Sequence, residues 1–313
     1  MILLVGAGPM AVQYAHVLKG LNKEFCVVGR SSRSALEFES ATGVSPSIGG
    51  LDLFLKGCDQ VIDHAIVAVS VEQLEATTRQ LLHHGIAHIL VEKPGGLTLA
   101  SIQALQELAS ARNATIYVAY NRRFLSSVLA AKAMIAEDGG VSSFTFELTE
   151  WSDAITKIAK ADGVKENWFF ANTSHVTDLA FHLGGRPKEL SCFTGGALDW
   201  HTRASKFAGA GLTSSGALFS YSGDWDAPGR WAVEVLTSKR RYIFKPMEKL
   251  QIQSRNSIAV ENHDVDCTFD QQYKPGLFLQ LKHFLEDDKS VLCTLQEHLA
   301  NSAIYARIAN YDC

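Results

Sequence analysis

Three small residues within the first eleven positions are spaced for one chemical task. Gly6-Ala7-Gly8-Pro9-Met10-Ala11 follows the apolar run Ile2-Leu3-Leu4-Val5 and leads into Val12 to Lys19, where apolar residues recur at helical spacing. A G-x-G-x-x-A turn between a strand and a helix is a dinucleotide-binding fingerprint. Gly6 permits the tight turn, Gly8 lets the backbone approach a pyrophosphate, and Ala11 lets the helix pack closely on the strand. The start of that helix, with Pro9 and Met10 in its first turn, offers N–H groups and a positive dipole end to the phosphates. A ligand-free glycine turn is the plainer alternative, and the flanking strand and helix weigh against it.

A second candidate is Glu92-Lys93-Pro94-Gly95-Gly96, directly after the strand-like run Ala87 to Val91. Ligands in open α/β sheets bind at the carboxyl ends of strands, where this lysine projects. A lysine partly desolvated beside a nicotinamide can act as an acid or as a hydrogen-bond donor to a hydroxyl. Pro94 would fix the turn, and a cis peptide is open to it. Taken alone, Lys93 is better read as an ordinary strand-end lysine.

The end of the second strand should select the cofactor. Sites for NAD usually carry an acid there, whereas this chain has Gly29-Arg30-Ser31-Ser32-Arg33. Arg30 and Arg33 with the Ser31 hydroxyl suit a 2′-phosphate, so NADP is expected over NAD, with NAD a possible cofactor too. A solvated basic loop is the competing reading.

These residues need a scaffold, and the chain supplies two rhythms. Through about residue 120, strands at Phe25 to Gly29, Val61 to Val69, Ala87 to Val91 and Thr115 to Tyr120 alternate with helices at Leu74 to His83 and Leu99 to Arg112. Such alternation predicts a parallel, doubly wound sheet. Beyond residue 121, a helix at Leu125 to Ala136 precedes a strand at Val141 to Trp151 and a helix at Ser174 to Leu183. Twofold-periodic runs then follow at Glu189 to Phe193, Gly211 to Tyr221, Trp231 to Thr237 and Arg241 to Phe244. Helices at Phe278 to Asp287 and Leu295 to Ile308 close the chain. The expected fold is therefore α/β: a Rossmann dinucleotide-binding domain over residues 1–121, then an α+β domain over residues 122–313 with an open, mainly antiparallel sheet.

Composition limits the function classes. Of 313 residues, 47% are hydrophobic and 20% charged, which argues against disorder and gives enough chain for two cores. A net charge of −4 gives no footprint for nucleic acid and no attraction to anionic membranes. No signal-peptide pattern and no span-length apolar run are visible. Six cysteines (Cys26, Cys58, Cys192, Cys267, Cys293 and Cys313) lack C-x-x-C spacing and read as free thiols of a reducing, cytoplasmic compartment. No metal is expected: His83, His84 and His88 lack a matching Cys or carboxylate pattern. Nothing supports acyl or phosphoryl transfer.

Gly6-Ala7-Gly8-Pro9-Met10-Ala11, Glu92-Lys93-Pro94 and Tyr120-Asn121-Arg122-Arg123-Phe124, in this order and spacing, resemble the Gfo/Idh/MocA oxidoreductases. The resemblance extends to Asn172 to His182, where Asp178 and His182 stand at i and i+4, one turn apart on a helix face. It implies hydride transfer between a nicotinamide and a secondary alcohol or ketone of a sugar, polyol or nucleotide-linked sugar. It implies that Lys93 hydrogen-bonds the reacting oxygen, His182 exchanges its proton, and Asp178 binds a neighbouring hydroxyl. His175, one turn before Asp178, is expected near the substrate, and so is Trp168, for which core packing is an equally good reading. Ser70, Glu92 and Asn121 join the cofactor residues, and a homodimer or homotetramer is implied. Two segments depart from the pattern, Ser70-Val71-Glu72-Gln73 and Phe169 to Ser174, and both touch the inference about substrate shape. Asp199-Trp200-His201-Thr202-Arg203 and Asp224-Trp225-Asp226 read equally as pocket walls or surface turns. A non-catalytic NADP-binding sensor and an NAD-dependent glycosidase of the same family are the alternatives.

Overall fold

Runs of apolar residues buried on both faces make parallel strands, and the N-terminal part of this chain is built from them. In the computed structural model, which describes residues 1–286 and 288–311, the chain divides into two units. The first holds residues 1–121 and 269–299, the second residues 122–268 and 300–313. Asp287, Asp312 and Cys313 lie outside the described residues, so the end of the helix expected to reach Asp287 and the Cys313 thiol receive no structural account.

In the first unit, β1 (Ile2–Val5), β2 (Phe25–Val28), β3 (His64–Val67), β4 (His88–Glu92) and β5 (Thr115–Ala119) pair in parallel in the order β5-β4-β3-β1-β2. The short strand Cys293–Thr294 adds an antiparallel edge beside β5. Leu3, Leu4, Ala65, Ile66, Val67, Ile89, Leu90 and Val91 are fully buried. Helices α1 (Pro9–Gly20), α2 (Ser32–Thr42), α3 (Leu51–Lys56), α4 (Leu74–His83) and α5 (Leu99–Ala111) connect the strands. Helix α5 starts with a reciprocal cap between Thr98 and Ser101. Two of these helices, α2 and α3, carry no clear sequence signal. The first buries only Ala35, Phe38 and Thr42, and the second is six residues long.

In the second unit, α6 (Ser126–Glu137) precedes β6 (Ser143–Glu147), and α7 (Ser152–Thr156) and α8 (Ser174–Gly184) precede a run of seven strands. These are β7 (Pro187–Gly195), β8 (Lys206–Thr213), β9 (Leu218–Asp224), β10 (Ala232–Leu236), β11 (Arg240–Phe244), β12 (Gln251–Ser254) and β13 (Glu261–Asn262). The sheet order is β13-β12-β11-β10-β6-β9-β8-β7, antiparallel except for the β6–β9 pair. Helix α8 covers one face. Phe144 and Phe146 point inward from β6, where Phe144 stacks on Phe219 at 5.2 Å and Phe146 meets Phe181 edge-on at 5.5 Å. Close approach is obligatory at Gly184, where an added Cβ would stand 2.3 Å from the Phe144 ring.

Three expectations are corrected. Gly211 to Tyr221 is not one strand but parts of β8 and β9, joined by a tight turn in which Gly216 has φ +90°. The turn is marked in the sequence by Thr213-Ser214-Ser215-Gly216, which holds no apolar residue and separates two β-like runs. The strands expected over Val61 to Val69 and Val141 to Trp151 shorten to His64–Val67 and Ser143–Glu147. Finally, residues 269–299, expected in the second domain, pack with the first unit.

A buried carboxylate closes the end of α6. Asp138 accepts from Arg240 Nη2 at 2.6 Å, Tyr242 Oη at 2.7 Å and Thr237 Oγ1 at 2.9 Å, with its side chain fully buried. The Arg240 guanidinium holds its carboxyl well below the usual carboxylate range. A depressed native pKa adds stability above the unfolded pKa, and that stability is lost as the pH falls through the acid range. Unfolding free energy is therefore expected to decline from about pH 5 to pH 2. Asp138→Asn should flatten part of that slope and cost about 2–4 kcal/mol at neutral pH, read by urea denaturation across a pH series.

Candidate active site

All five parallel strands of the first unit end on the same edge, and the expected cofactor residues leave from those ends. Gly6 has φ +121°, and a Cβ there would sit 2.3 Å from the Ala68 carbonyl oxygen, so β1 can approach the end of β3 only through glycine. Around Gly8 the space is open, with nothing within 4 Å of an added Cβ. Gly8 is the N-cap of α1, and it brings no side-chain cap; Pro9 stands in the first turn, which contains no acid. An open approach to Gly8 beside an uncapped, acid-free helix start fits a pyrophosphate. Ala11 is fully buried, and Met10 lies half-buried beside it.

After β2, Arg30 is exposed and no acid stands in the first turn of α2. Ser31 caps that helix, its Oγ accepting from the Ser34 N–H at 3.3 Å. Arg33 pairs with Glu37 at 3.0 Å on the open surface, an i,i+4 contact worth well under about 1 kcal/mol and easily exchanged for another anion. After β3, the Ser70 hydroxyl donates to Glu72. After β4, Glu92 accepts from the Tyr14 hydroxyl at 2.8 Å, which ties the lysine turn to the cofactor helix α1. Burial pushes both the Glu92 carboxyl and the Tyr14 phenol up. Lys93 is half-buried, and its bond to Pro94 is cis. Beyond β5, Asn121 is 9% exposed, and its amide donates to the Pro275 carbonyl at 2.8 Å, which ties the end of β5 to the returning segment.

The second unit holds the remaining candidates on or near α8. Asp178 and His182 stand one turn apart, as their spacing requires. Asp178 is 2% exposed and bound on both oxygens by one guanidinium: Arg123 Nε reaches Oδ2 at 2.8 Å and Nη2 reaches Oδ1 at 2.6 Å. Tyr305 Oη adds a long contact at 3.4 Å. This buried fork gives Asp178 the character of an anchor for α8. His182 Nε2 lies 3.4 Å from Lys132 Nζ on α6. Burial first, then the charges of Arg123 and Lys132, pull the His182 pKa well below the ordinary histidine value and keep the ring neutral. His175 faces Trp231, ring to ring at 6.1 Å.

Two sets of aromatic residues take core positions. Trp168 is 6% exposed and meets Trp200 edge-on at 6.0 Å, the core packing that was one of its two readings. Trp200 in turn stacks on Trp225 at 5.7 Å with a 1° tilt, and buried His201 lies 2.9 Å from Tyr311 Oη through Nε2. The Asp199–Arg203 and Asp224–Asp226 segments thus carry core side chains, where surface turns were one expectation. Beside α8, Glu150 is 1% exposed and accepts from Asn172 at 2.9 Å, Thr173 at 2.7 Å and Arg230 at 2.9 Å. Arg230 lies over Trp231 at 4.1 Å and over Trp151 at 4.8 Å. Arg123, Lys132 and Glu150 escaped sequence reading because each works through a partner distant in the chain; only the doubled arginine at 122–123 hinted at one of them.

The first unit, with its parallel sheet, glycine turn and uncapped helix, has the Rossmann fold. Residues 1–120 match the model of the Gfo/Idh/MocA family, described as an oxidoreductase family with an NAD-binding Rossmann fold. A comparison with curated proteins gave no match. Among solved structures, UDP-N-acetylglucosamine 3-dehydrogenase from Acidithiobacillus ferrooxidans is 15% identical, with a TM-score of 0.76 over 99% of this chain and 96% of its own. Levoglucosan dehydrogenase in complex with NADH is 15% identical, with a TM-score of 0.79 over 99% and 95%. An NADPH-dependent oxidoreductase, so described, from Desulfitobacterium hafniense is 15% identical, with a TM-score of 0.78 over 99% and 94%. At these identities the likeness is one of fold.

The Arg123–Asp178 fork makes a direct prediction. Arg123→Leu strands a buried carboxylate and should cost about 3–5 kcal/mol of stability, whereas Arg123→Leu with Asp178→Leu should recover much of that loss. Urea denaturation of both variants tests it; equal losses would mean that the pair is not coupled.

Proposed function

We propose that this protein is a nicotinamide-dependent dehydrogenase or reductase acting on a secondary alcohol of a sugar, polyol or nucleotide-linked sugar, with NADP preferred over NAD. The observation that carries the reading is the edge of the parallel sheet, where the open Gly8 turn and the Lys93 turn leave β1 and β4. Those strands are two apart, about 10 Å at ordinary strand spacing. The sugar class is supported by the solved relatives named for sugar and nucleotide-sugar dehydrogenases. The preference for NADP is supported by Arg30 and the acid-free start of α2.

When bound, the nicotinamide supplies the hydride acceptor or donor. The chain supplies position and proton control. Gly8, Pro9, Met10 and Ala11 receive the pyrophosphate; Arg30, Ser31 and Arg33 meet the 2′-phosphate; Ser70 and Glu92 line the same strand ends. Lys93 donates a hydrogen bond to the reacting oxygen. His182, held neutral, takes the hydroxyl proton in the oxidation direction. Asp178 keeps α8 in place through Arg123, and the base is the imidazole rather than this carboxylate. His175, one turn earlier, contributes to the substrate side with Trp231. The same reading includes a homodimer or homotetramer, and a monomer in sedimentation at micromolar concentration would remove that part.

Turnover of a sugar and polyol panel with NADPH and NADH, followed at the nicotinamide absorbance, tests the proposal. NADPH should give the lower KM, and Lys93→Met and His182→Gln should each lower kcat/KM by about 10²–10⁴-fold. Unchanged turnover in both variants would exclude these roles. The His182 ring must be neutral to accept a proton, and its lowered pKa places the acid limb of kcat/KM for oxidation at lower pH than an ordinary histidine would give. Lys132→Met removes one cause of that lowering, so the acid limb should move to higher pH.

A further inference from the structure

The turn that carries Lys93 is held on both sides by buried side chains. Ahead of it, Tyr14, fully buried on α1, donates to Glu92. Behind it, the Pro94 carbonyl oxygen lies 2.8 Å from Nε2 of His298, and Nδ1 of His298 lies 3.3 Å from the Tyr120 hydroxyl. His298 is fully buried and Tyr120 is 1% exposed. A carbonyl oxygen only accepts, so the His298 proton is on Nε2; in the neutral ring Nδ1 is then an acceptor, and Tyr120 donates to it. The chain of hydrogen bonds runs from Tyr120 through His298 to the residue after the lysine. It ends on a carbonyl, which cannot pass a proton on, so its work is mechanical rather than acid–base.

The anchoring of this chain is itself redundant. With its amide oxygen toward β5, buried Gln280 accepts from the backbone N–H groups of Tyr120 and Asn121 at 3.2 and 3.1 Å. Asn121 donates to Pro275. Within the turn, the Gly95 N–H donates to the Glu92 carbonyl at 2.9 Å. Residues 275, 280 and 298 therefore lock the end of β5 and the lysine turn after β4, although they stand more than 150 positions later in the sequence.

We propose that His298 is a positioning residue for Lys93. Its Nε2–H fixes the carbonyl of Pro94, and thereby the direction in which the lysine leaves β4. The proposal rests on Lys93 acting as donor to the reacting oxygen, and its test separates the two claims. His298→Leu removes the donor, whereas His298→Gln keeps an N–H that can reach the carbonyl. In His298→Leu, kcat should fall about 10- to 100-fold while the dissociation constant for NADPH stays within about twofold, because geometry at the reacting atoms is lost and the cofactor cradle is not. His298→Gln should recover most of that loss. In protein free of cofactor, acylation of Lys93 by an amine reagent, followed by peptide mass spectrometry, should be about threefold faster in His298→Leu as the turn loosens.

Wild-type kcat together with wild-type labelling in His298→Leu would overturn the proposal, as would a fall in kcat that comes only with lost NADPH binding. If Lys93→Met turns over like the wild type, the catalytic reading of the lysine fails, and the labelling rate alone decides whether His298 holds the turn. Should His298→Leu fail to fold, Tyr120→Phe removes one hydroxyl from the same chain. A lower kcat and faster Lys93 labelling in Tyr120→Phe would support the proposal, and no change in either would overturn it.

Discussion

The shared direction of β1 through β5 is the constraint on which the first unit depends. Parallel strands deliver every exit from their carboxyl ends to one edge, so residues far apart in sequence arrive together without any contact between them. The order β5-β4-β3-β1-β2 places the reversal of winding at β1 and β3, and there the Gly6 backbone presses against the Ala68 carbonyl. A side chain at position 6 would push β1 and the end of β3 apart and tilt α1 with them. The uncapped start of α1, the Arg30 loop and the lysine turn all inherit their placement from this one close approach.

The second unit solves a different problem, the placing of polar groups inside an aromatic core. Asp138, Glu150 and Asp178 are all almost completely buried, and each is met by an arginine together with hydroxyl or amide donors. Buried ion pairs of this kind recover their desolvation cost only when the geometry is good and the remaining lone pairs are satisfied. They do more for register than for net stability. Arg123 fixes where Asp178 stands, and α8 then has one rotational setting that keeps Val176, Leu179 and Leu183 in the core and His182 at its last turn. Burial of the imidazole, and after it the charge of the same Arg123, lowers the His182 pKa.

Local pattern carried much of the fold. β1 and α4 stand where apolar periodicity puts them, and the i,i+4 spacing of Asp178 and His182 needed nothing beyond helix geometry. What was hidden had a physical reason in each case. Helix α2 is mostly solvent-facing, so its periodicity is faint. The turn between β8 and β9 is short, and its Ser-Ser-Gly signal lies between two β-like runs that read as one. Trp168 and Trp225 look like pocket aromatics in sequence because an indole in a core and an indole in a cleft have the same letter. Partners such as Arg123 to Asp178, and Tyr120 to His298, are long-range hydrogen bonds, and a single sequence holds no record of them.

Residues 269–299 return to the first unit after the whole of the β6–β13 sheet has been laid down. Synthesis on a ribosome runs in one direction, so residues 1–121 emerge with the outer edge of β5 still bare. The two-residue strand Cys293–Thr294 that covers this edge comes more than 170 positions later. During that interval β5 presents unpaired backbone groups of the kind that recruit foreign strands. Its sparing length, five residues, and the polar Thr115 at its exposed start limit that hazard. The nascent chain thus carries an unfinished sheet for most of its translation, and completion of the first unit is timed by the arrival of its last segment rather than by the end of its first.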